Sequence, residues 1–363
     1  MATSHNPADS PQGPAASRQN PADSSLGPYD ALRRIAYLLE RSRAGTYRVQ
    51  AFRGAAATVL ETDPAELLSR ATAGTLTDLP GIGPSTEAVI RQALDGDIPE
   101  YLTSLEDRAT KPLVAGGLEV RAALRGDLHS HSDWSDGGSP IQEMVVTAMD
   151  LGHDYLVLTD HSPRLKVANG LSSERLSKQL RVVEEIGSAV GSFRLLKGIE
   201  VDILDDGSLD QSVEMLVQLD LRVASVHSKL AMSAAPMTRR MIAAVKNPHT
   251  NVLGHCTGRL VEGSRGTRGQ SSFDAAAVFE ACALNEVAVE INSRPERCDP
   301  PDELVALALE AGCLFSIDSD AHAPGQLDFQ IYGCARAELL GVPVERIVNT
   351  WEVDRLLAWA NPD

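Results

Sequence analysis

The stretch GDLHSHSDWSDGGSP, Gly126 to Pro140, sets His129 and His131 two residues apart and adds Asp136 before a Gly-Gly turn. Imidazoles and carboxylates at that density hold metal when partners of the same kind converge on them. Such partners recur along the chain. His161 (beside Asp160), Glu200, His227, His255, Asp320 and His322 each stand at or just beyond the C-terminal end of a short Val/Ile/Leu-rich run. A single histidine is commonly a hydrogen-bonded structural residue. Six of the chain's nine, all at run ends, do not fit that description. Nine such ligands exceed the needs of one ion and point to two or three, and imidazole with carboxylate but no thiolate suits Zn2+, Mn2+ or Fe2+. Two ions roughly 3.5–4 Å apart clamp a phosphate and activate water, so phosphoester hydrolysis is the reaction expected, with no protein nucleophile. His153, which precedes a run, and His249, in a loop, read as structural, and His5 as solvated.

Seven runs must bring these groups together: AALRGDLHSH, YLVLTDH, FRLLKGIEVDI, LRVASVHS, TNVLGHC, VAVEINS and LFSIDSDAH. From about Leu118 they alternate with helical stretches, the pattern of an α/β fold of repeated βα units. Six carry His, Asp or Glu at the C-terminal end and the seventh carries Asn292. In a βα barrel those ends converge on one face. Cations following the runs, Arg164, Lys166, Arg259 and Arg294 or Arg297, are candidates to neutralise a bound phosphate, or else surface partners of the abundant carboxylates. Asn169 and Ser228 are candidates to orient ligands.

The region before the runs is different. Residues 1–27 repeat NPADSPQGP as NPADSSLGP and have almost no large apolar residues, which predicts a disordered tail. Residues 28–110 show helical spacing at Leu32, Ile35, Ala36 and Leu39, then Leu67, Leu68, Leu76 and Leu79. LPGIGPSTEAVIRQAL, Leu79–Leu94, places a Gly-Ile-Gly turn between two apolar helical segments, the layout of a helix-hairpin-helix. Backbone amides at such a turn can hold a DNA phosphate, which makes Gly81 and Gly83 candidate contacts, although a plain inter-helix turn would look similar. Arg33, Arg34, Arg41, Arg43, Arg48 and Arg53 fall within 21 residues against only Glu40. They read either as a solvated helical face or as a local cationic patch; on the second reading Arg48 and Arg53 contact DNA.

The net charge of −17 over 363 residues excludes a generally basic nucleic-acid surface, so any DNA contact must be local. No apolar run approaches the roughly 18–20 residues of a membrane span, and the start lacks a signal-peptide pattern. Five cysteines without a CxxC pair fit reduced thiols in a cytoplasmic protein, nucleoid-associated if it acts on DNA.

Together, DLHSHSDWSDG, LTDHSPRLKVANGL, GIEVDILDDGSLD, ASVHS, LGHCTGRL, EINSRPER and SDAH closely resemble the polymerase and histidinol phosphatase (PHP) superfamily over about residues 120–345. The likeness is strongest to the PHP domain of bacterial family X DNA polymerases. LLERSRAGTYRVQAFRGAA followed by LPGIGP resembles their N-terminal DNA-end-binding domain over most of residues 29–106. The resemblance implies a small all-α domain (28–110), a linker (111–125) and a distorted seven-stranded βα barrel (126–363) with three metal ions. Glu200 would bridge, with His129, His131 and Asp320 on the first ion, His227 and His255 on the second, and Asp136, His161 and His322 on the third. It further implies DNA ends or gapped DNA as partner and a repair role: a 3′–5′ exonuclease or 3′-phosphatase, with abasic-site cleavage a further activity. The alternatives are a small-molecule phosphatase of the histidinol-phosphate type and a non-catalytic DNA-binding scaffold. Four departures matter. Only residues 111–126 separate the two matching regions, too few for a polymerase palm, which excludes nucleotide incorporation. No lysine precedes Lys111, which argues against Schiff-base lyase chemistry in the helical domain. Ser85 stands where the hairpin is often basic, and Cys256 follows His255 where proline is expected, with packing its expected role.

Overall fold

The computed structural model describes residues 26–263 and 266–362. The tail expected to be disordered, and with it His5, lies outside the described residues apart from Leu26 and Gly27. Helices α1 (Pro28–Arg41), α2 (Thr46–Glu61), α3 (Pro64–Ala73), α4 (Pro84–Leu94) and α5 (Glu100–Ala109) form a first body. Its core contains Leu32, Ile35, Leu39, Phe52, Leu76 and Ile90 and is separate from the cores of the barrel. Proline at N1 starts α1, α3 and α4, where its missing N–H costs nothing. The turn before α4 has Gly81 at φ +74°, a conformation that glycine adopts without a Cβ penalty. Its back is tied to α2 by the Thr58 hydroxyl, which donates to Pro80 O at 2.7 Å.

The second body is a nearly closed barrel. After α6 (Leu118–Ala123), strands β1 (Gly126–Ser130), β2 (Tyr155–Leu158), β3 (Arg194–Asp202), β4 (Leu221–Ser225), β5 (Val252–Leu253), β6 (Ala288–Asn292) and β7 (Phe315–Asp318) pair in parallel in sequence order. Helices α7 (Ile141–Asp150), α8 (Ser173–Ala189), α9 (Val213–Leu216), α10 (Ala234–Val245), α11 (Ala275–Leu284), α12 (Asp302–Glu310), α13 (Gln330–Leu339) and α14 (Val353–Ala360) complete the chain. At its last residue β1 meets the segment just beyond β7 through a parallel bridge, Ser130 to Ala321. The strands are buried almost throughout because both faces are covered, which explains their continuous apolar sequence. Inward residues Leu128, Tyr155, Val157, Leu196, Leu221, Val223, Val252 and Ala288 pack together, with Val348, Trp351 and Leu356 from the C-terminal region. Outward residues Leu156 and Leu158 pack against α7 and α8. With the inward residues near the N-terminal ends apolar, the interior is polar at the other end.

The two bodies touch around that polar end. The 3-10 turn Pro324–Phe329, just after His322, lies against α1 so closely that a Cβ on Gly325 would collide with Tyr37 O and Glu40 Cβ. Glu40 accepts the Gly325 amide at 2.8 Å. Arg41 pairs with Asp328 at 2.5 Å, and Arg43 with Glu262 at 2.6 Å and Glu296 at 3.3 Å. Glu143, in the first turn of α7, accepts Tyr29 Oη at 2.7 Å, Arg33 Nε at 2.7 Å and Arg53 Nη1 at 3.1 Å. Arg53 also grips both oxygens of Glu40 at 2.8 Å. This corrects the reading of the arginine cluster as an open cationic patch: four of its six members are spent joining the two bodies. Arg53 in particular faces carboxylates and not solvent, its side chain only 14% exposed.

Candidate metal centre

The ligands reach one another because β-strand alternation aims them inward. On β3, Glu200 and Asp202 follow Leu196 on the inward face at period two. On β1 the pairing register shifts between Asp127 and Ser130, and such a bulge re-aims side chains. Leu128 can therefore pack inside while His129 also reaches inward. His131 and Asp136 follow on the loop, His161 beyond β2, His227 beyond β4, His255 beyond β5, and Asp320 and His322 beyond β7.

Glu200 lies at the centre, 1% exposed. Its Oε2 is 2.8 Å from His161 Nδ1, 3.3 Å from His129 Nε2 and 3.6 Å from His131 Nε2. Its Oε1 is 2.8 Å from His255 Nε2 and 3.1 Å from His227 Nε2. Asp320 Oδ1 lies 3.4 Å from His131 Nε2, and Asp136 Oδ1 lies 3.4 Å from both His161 Nε2 and His322 Nε2. All nine residues thus fall into four overlapping groups: His131/Asp136/His161/His322, His129/Glu200/His255, His129/His131/Asp320 and His161/Glu200/His227. The groups overlap more than the expected partition: His161 sits with Glu200 and His227 as well as with Asp136 and His322, His131 also joins that last pair, and His129 also joins His255.

The donor set fits divalent ions. Ligand atoms around a tetrahedral ion at about 2.0–2.1 Å lie roughly 3.3 Å apart, close to the spacings here. Both Glu200 oxygens, His129 Nε2 and both ring nitrogens of His131, His227 and His255 are buried and make no hydrogen bond. Buried polar atoms normally find a partner, so such a concentration of orphans facing one another marks a cation site. Burial works against the Glu200 carboxylate, but His227, His129 and His161 around it hold its pKa well below the ordinary value. Burial and the neighbouring His322 and His161 push His131 down to about 3, which leaves its ring neutral.

Behind the ligands lies a polar shell that sequence reasoning missed in part. Glu290 Oε1 is 2.6 Å from His129 Nδ1, and its Oε2 accepts the His255 amide at 2.5 Å and Asn292 Nδ2 at 3.2 Å. Through Nδ1, Glu290 fixes the His129 tautomer that presents Nε2 to a metal. Its signal was available: in AVEIN it shares the inward face of Ala288 and Asn292. Asp202 holds the His227 amide at 3.1 Å. Asp160 accepts Ser132 N at 2.9 Å, Ser132 Oγ at 2.6 Å and Gln179 Nε2 at 2.5 Å, so it braces the loop carrying His131 and Asp136. We predict that Glu290→Ala weakens metal affinity about 10–100-fold, the range for loss of such outer contacts. Titration of the apoprotein with Zn2+ followed by calorimetry checks it; wild-type affinity in the variant would remove Glu290 from this role.

The cations divide. Arg294 reaches the site: Nη1 donates to Asp320 O at 3.0 Å and lies 2.8 Å from His322 Nδ1. Arg297 Nε donates to Asp320 Oδ2 at 3.0 Å. Both line a cavity of about 290 Å3 over the ligands. Arg164 and Lys166 lie exposed on the loop after β2. Arg259 does not face the cavity; its guanidinium donates to the carbonyls of Arg297 and Cys298. That corrects its reading as a phosphate ligand: glycine at 258 turns the chain, and the guanidinium caps the neighbouring loop instead. Arg268, missed in the sequence, lines the cavity and donates to Gly258 O at 2.7 Å. Ser228 contacts Arg240 and Asn169 contacts Trp134 O, neither a ligand. His153 meets Arg121 and His249 gives its carbonyl to Arg222, both away from the cluster. Cys256 is buried in the apolar core.

A parallel seven-stranded barrel gathers histidines and carboxylates beyond its strand C-termini, and residues 127–294 match the PHP domain family. Among relatives, the chain is 36% identical over 226 residues to the DNA polymerase/3′-5′ exonuclease PolX of Bacillus subtilis, covering 62% of this chain and 39% of that protein. It is 28% identical over 235 residues to the probable phosphatase YcdX of Escherichia coli K12, covering 61% of this chain and 89% of that protein. This chain thus spans well under half of the length of the Bacillus protein. A histidinol phosphate phosphatase from Lactococcus lactis, solved with zinc, L-histidinol and phosphate, superposes with a TM-score of 0.42 at 17% identity, over 60% of this chain and 92% of that one. Among the described residues no helix is long and apolar enough to cross a membrane.

Proposed function

We propose that the protein is a metal-dependent phosphoesterase that processes DNA ends, as a 3′–5′ exonuclease or 3′-phosphatase. Its nine ligands would hold two or three divalent ions, which on binding activate water and stabilise the leaving oxygen. Around them the chain's own groups do the rest. Arg294 and Arg297, held by Asp320, offer positive charge to the non-bridging phosphate oxygens, and Glu290 and Asp202 keep the imidazoles in place.

The observation that carries the DNA reading is where the helical body sits. It contacts Glu143 after the β1 loop, Glu262 after β5, Glu296 after β6, and Gly325 and Asp328 after β7. These segments all lie beyond the C-terminal ends of the strands, the end at which the ligands gather. A body with a glycine hairpin, Gly81–Gly83, and an exposed Arg48 is thereby fixed beside the cavity mouth. A docked nucleic-acid-binding body there would present a strand end to the metals. The small cavity favours a second reading, a phosphatase for one small phosphomonoester, since about 290 Å3 holds little more than one such group. The deciding measurement is kcat/KM of Mn2+-loaded protein on a 3′-phosphorylated oligonucleotide and on histidinol phosphate. The expected result is preference for the oligonucleotide by about 100-fold or more, some 2.7 kcal/mol at 1.36 kcal/mol per decade. Preference for histidinol phosphate would overturn the DNA reading.

A further inference from the structure

The cavity over the metal ligands has two unlike walls. One is cationic: Arg268, Arg294 and Arg297, following β5 and β6. The other is apolar: Leu165 and Val167 after β2, while Leu230 after β4 packs beside Gly258 next to Arg268. In a ring of seven strands, β2 stands about half a turn from β5 and β6, so the loop after β2 faces the arginines across the opening.

Val167 is the unusual member of this wall, 95% exposed at the tip of the 3-10 turn Lys166–Ala168. A lone exposed valine means little. This one is on a loop that is pinned at both ends. Asp210 accepts Ser162 Oγ at 3.0 Å and the Arg164 amide at 2.6 Å. Arg175 donates to Asn169 O at 2.6 Å, and the Leu171 amide to His161 O at 2.7 Å. Holding an apolar tip rigidly in water above a polar site gains nothing for folding. It does make sense as a contact for an apolar part of the substrate.

A phosphoester has the same two-sided character. Its phosphoryl group belongs with the metals and arginines, which leaves the organic group to the apolar wall. We propose that Leu165 and Val167 form a platform for the last nucleobase of the strand, so that the enzyme recognises a base-bearing terminus irrespective of its sequence. The inference rests on the DNA-end reading. Stacking-type contacts serve it because every base has an apolar face. The cavity, close to the roughly 300 Å3 lower bound of ligand pockets, admits one terminal residue and no duplex.

The test compares two oligonucleotides that differ only in whether the 3′-terminal residue carries a base. Wild type and Val167→Asp are assayed with Mn2+ for kcat/KM, and by fluorescence anisotropy in EDTA for binding. At 95% exposure Val167 can be changed without disturbing the core, and Val167→Ile serves as the conservative control. Wild type and V167I should favour the base-bearing terminus in both assays, and V167D should shrink that preference about tenfold, within the range of a lost base contact. An undiminished preference in V167D, or none in wild type, overturns the platform while leaving DNA-end digestion standing. Hydrolysis of a chromogenic phosphoester with no attack on either oligonucleotide overturns the DNA-end reading, and the platform with it.

Discussion

Glu200→Ala is expected to abolish phosphoester hydrolysis and strip metal from the barrel. No other side chain touches so many ligands: Oε2 approaches His129, His131 and His161, and Oε1 approaches His227 and His255. Removing it takes away the one carboxylate that, among the described residues, approaches all five of these imidazoles, and with it the link between the ligand groups. Activity should fall on the order of a thousandfold or more, since each 1.36 kcal/mol of lost stabilisation is a decade and the ions supply several kcal/mol. Elemental analysis by mass spectrometry on purified variant and wild type gives the metal content, with a chromogenic phosphoester for the rate. The helical body has its own core and should stay folded. Unchanged metal and rate would remove Glu200 from the centre.

Glu143→Ala is expected to release the helical body from the barrel without emptying the metal site. Glu143 accepts from Tyr29, Arg33 and Arg53, and the two guanidinium side chains are only 19% and 14% exposed. Deleting the carboxylate leaves partly buried cations with too few acceptors, a change that costs about 3 kcal/mol. Hydrogen exchange at the Gly325 amide, which Glu40 accepts across the interface, reports the release, and limited proteolysis of residues 110–117 confirms it. Native-like protection in the variant would show that the remaining contacts, Glu40 with Gly325, Arg41 with Asp328 and Arg43 with Glu262 and Glu296, hold the two bodies without Glu143. The same contact has a pH signature. Burial works against the Glu143 carboxylate, but hydrogen bonds from Tyr29 and Arg33 and the charges of Arg33 and Arg53 hold its pKa below the ordinary 4.5. A depressed carboxylate contributes stability that is complete above the unfolded value and is lost as pH falls through the folded one. Docking should therefore weaken on acidification below about pH 4.5, and Glu143→Gln should blunt that dependence.

Loss of this docking should also separate the two catalytic readings. If the helical body delivers DNA, Glu143→Ala should depress oligonucleotide digestion far more than hydrolysis of a small phosphoester.

Residues 126–322 show their chemistry in one dimension because they break a strong local rule. A parallel barrel strand is buried on both faces and reads as an apolar run, so a histidine or carboxylate at its end stands out against Val, Ile and Leu. HSH, TDH, GIE, VHS, GHC and SDAH are each such a break, and strand order alone brings them to one end. Glu290 obeys the same logic, but it lies two residues inside its strand, where only the inward phase of AVEIN distinguishes it. The arginines were not legible in this way. Arg33, Arg41, Arg43 and Arg53 find Glu143, Asp328, Glu262 and Glu296 across 90 to 287 positions. Charge along a helix says that a partner is wanted, never which one, because an ion pair depends on which surfaces meet and how much water they exclude. Arg259 and Val167 make the same point from opposite sides: each follows or borders a strand-end motif, yet loop geometry turned the cation to backbone carbonyls and left the apolar side chain over the site. The candidate ligands were thus written locally, by what a strand end must not contain unless it is used. The fate of the charged and apolar groups around it was decided only when distant segments packed.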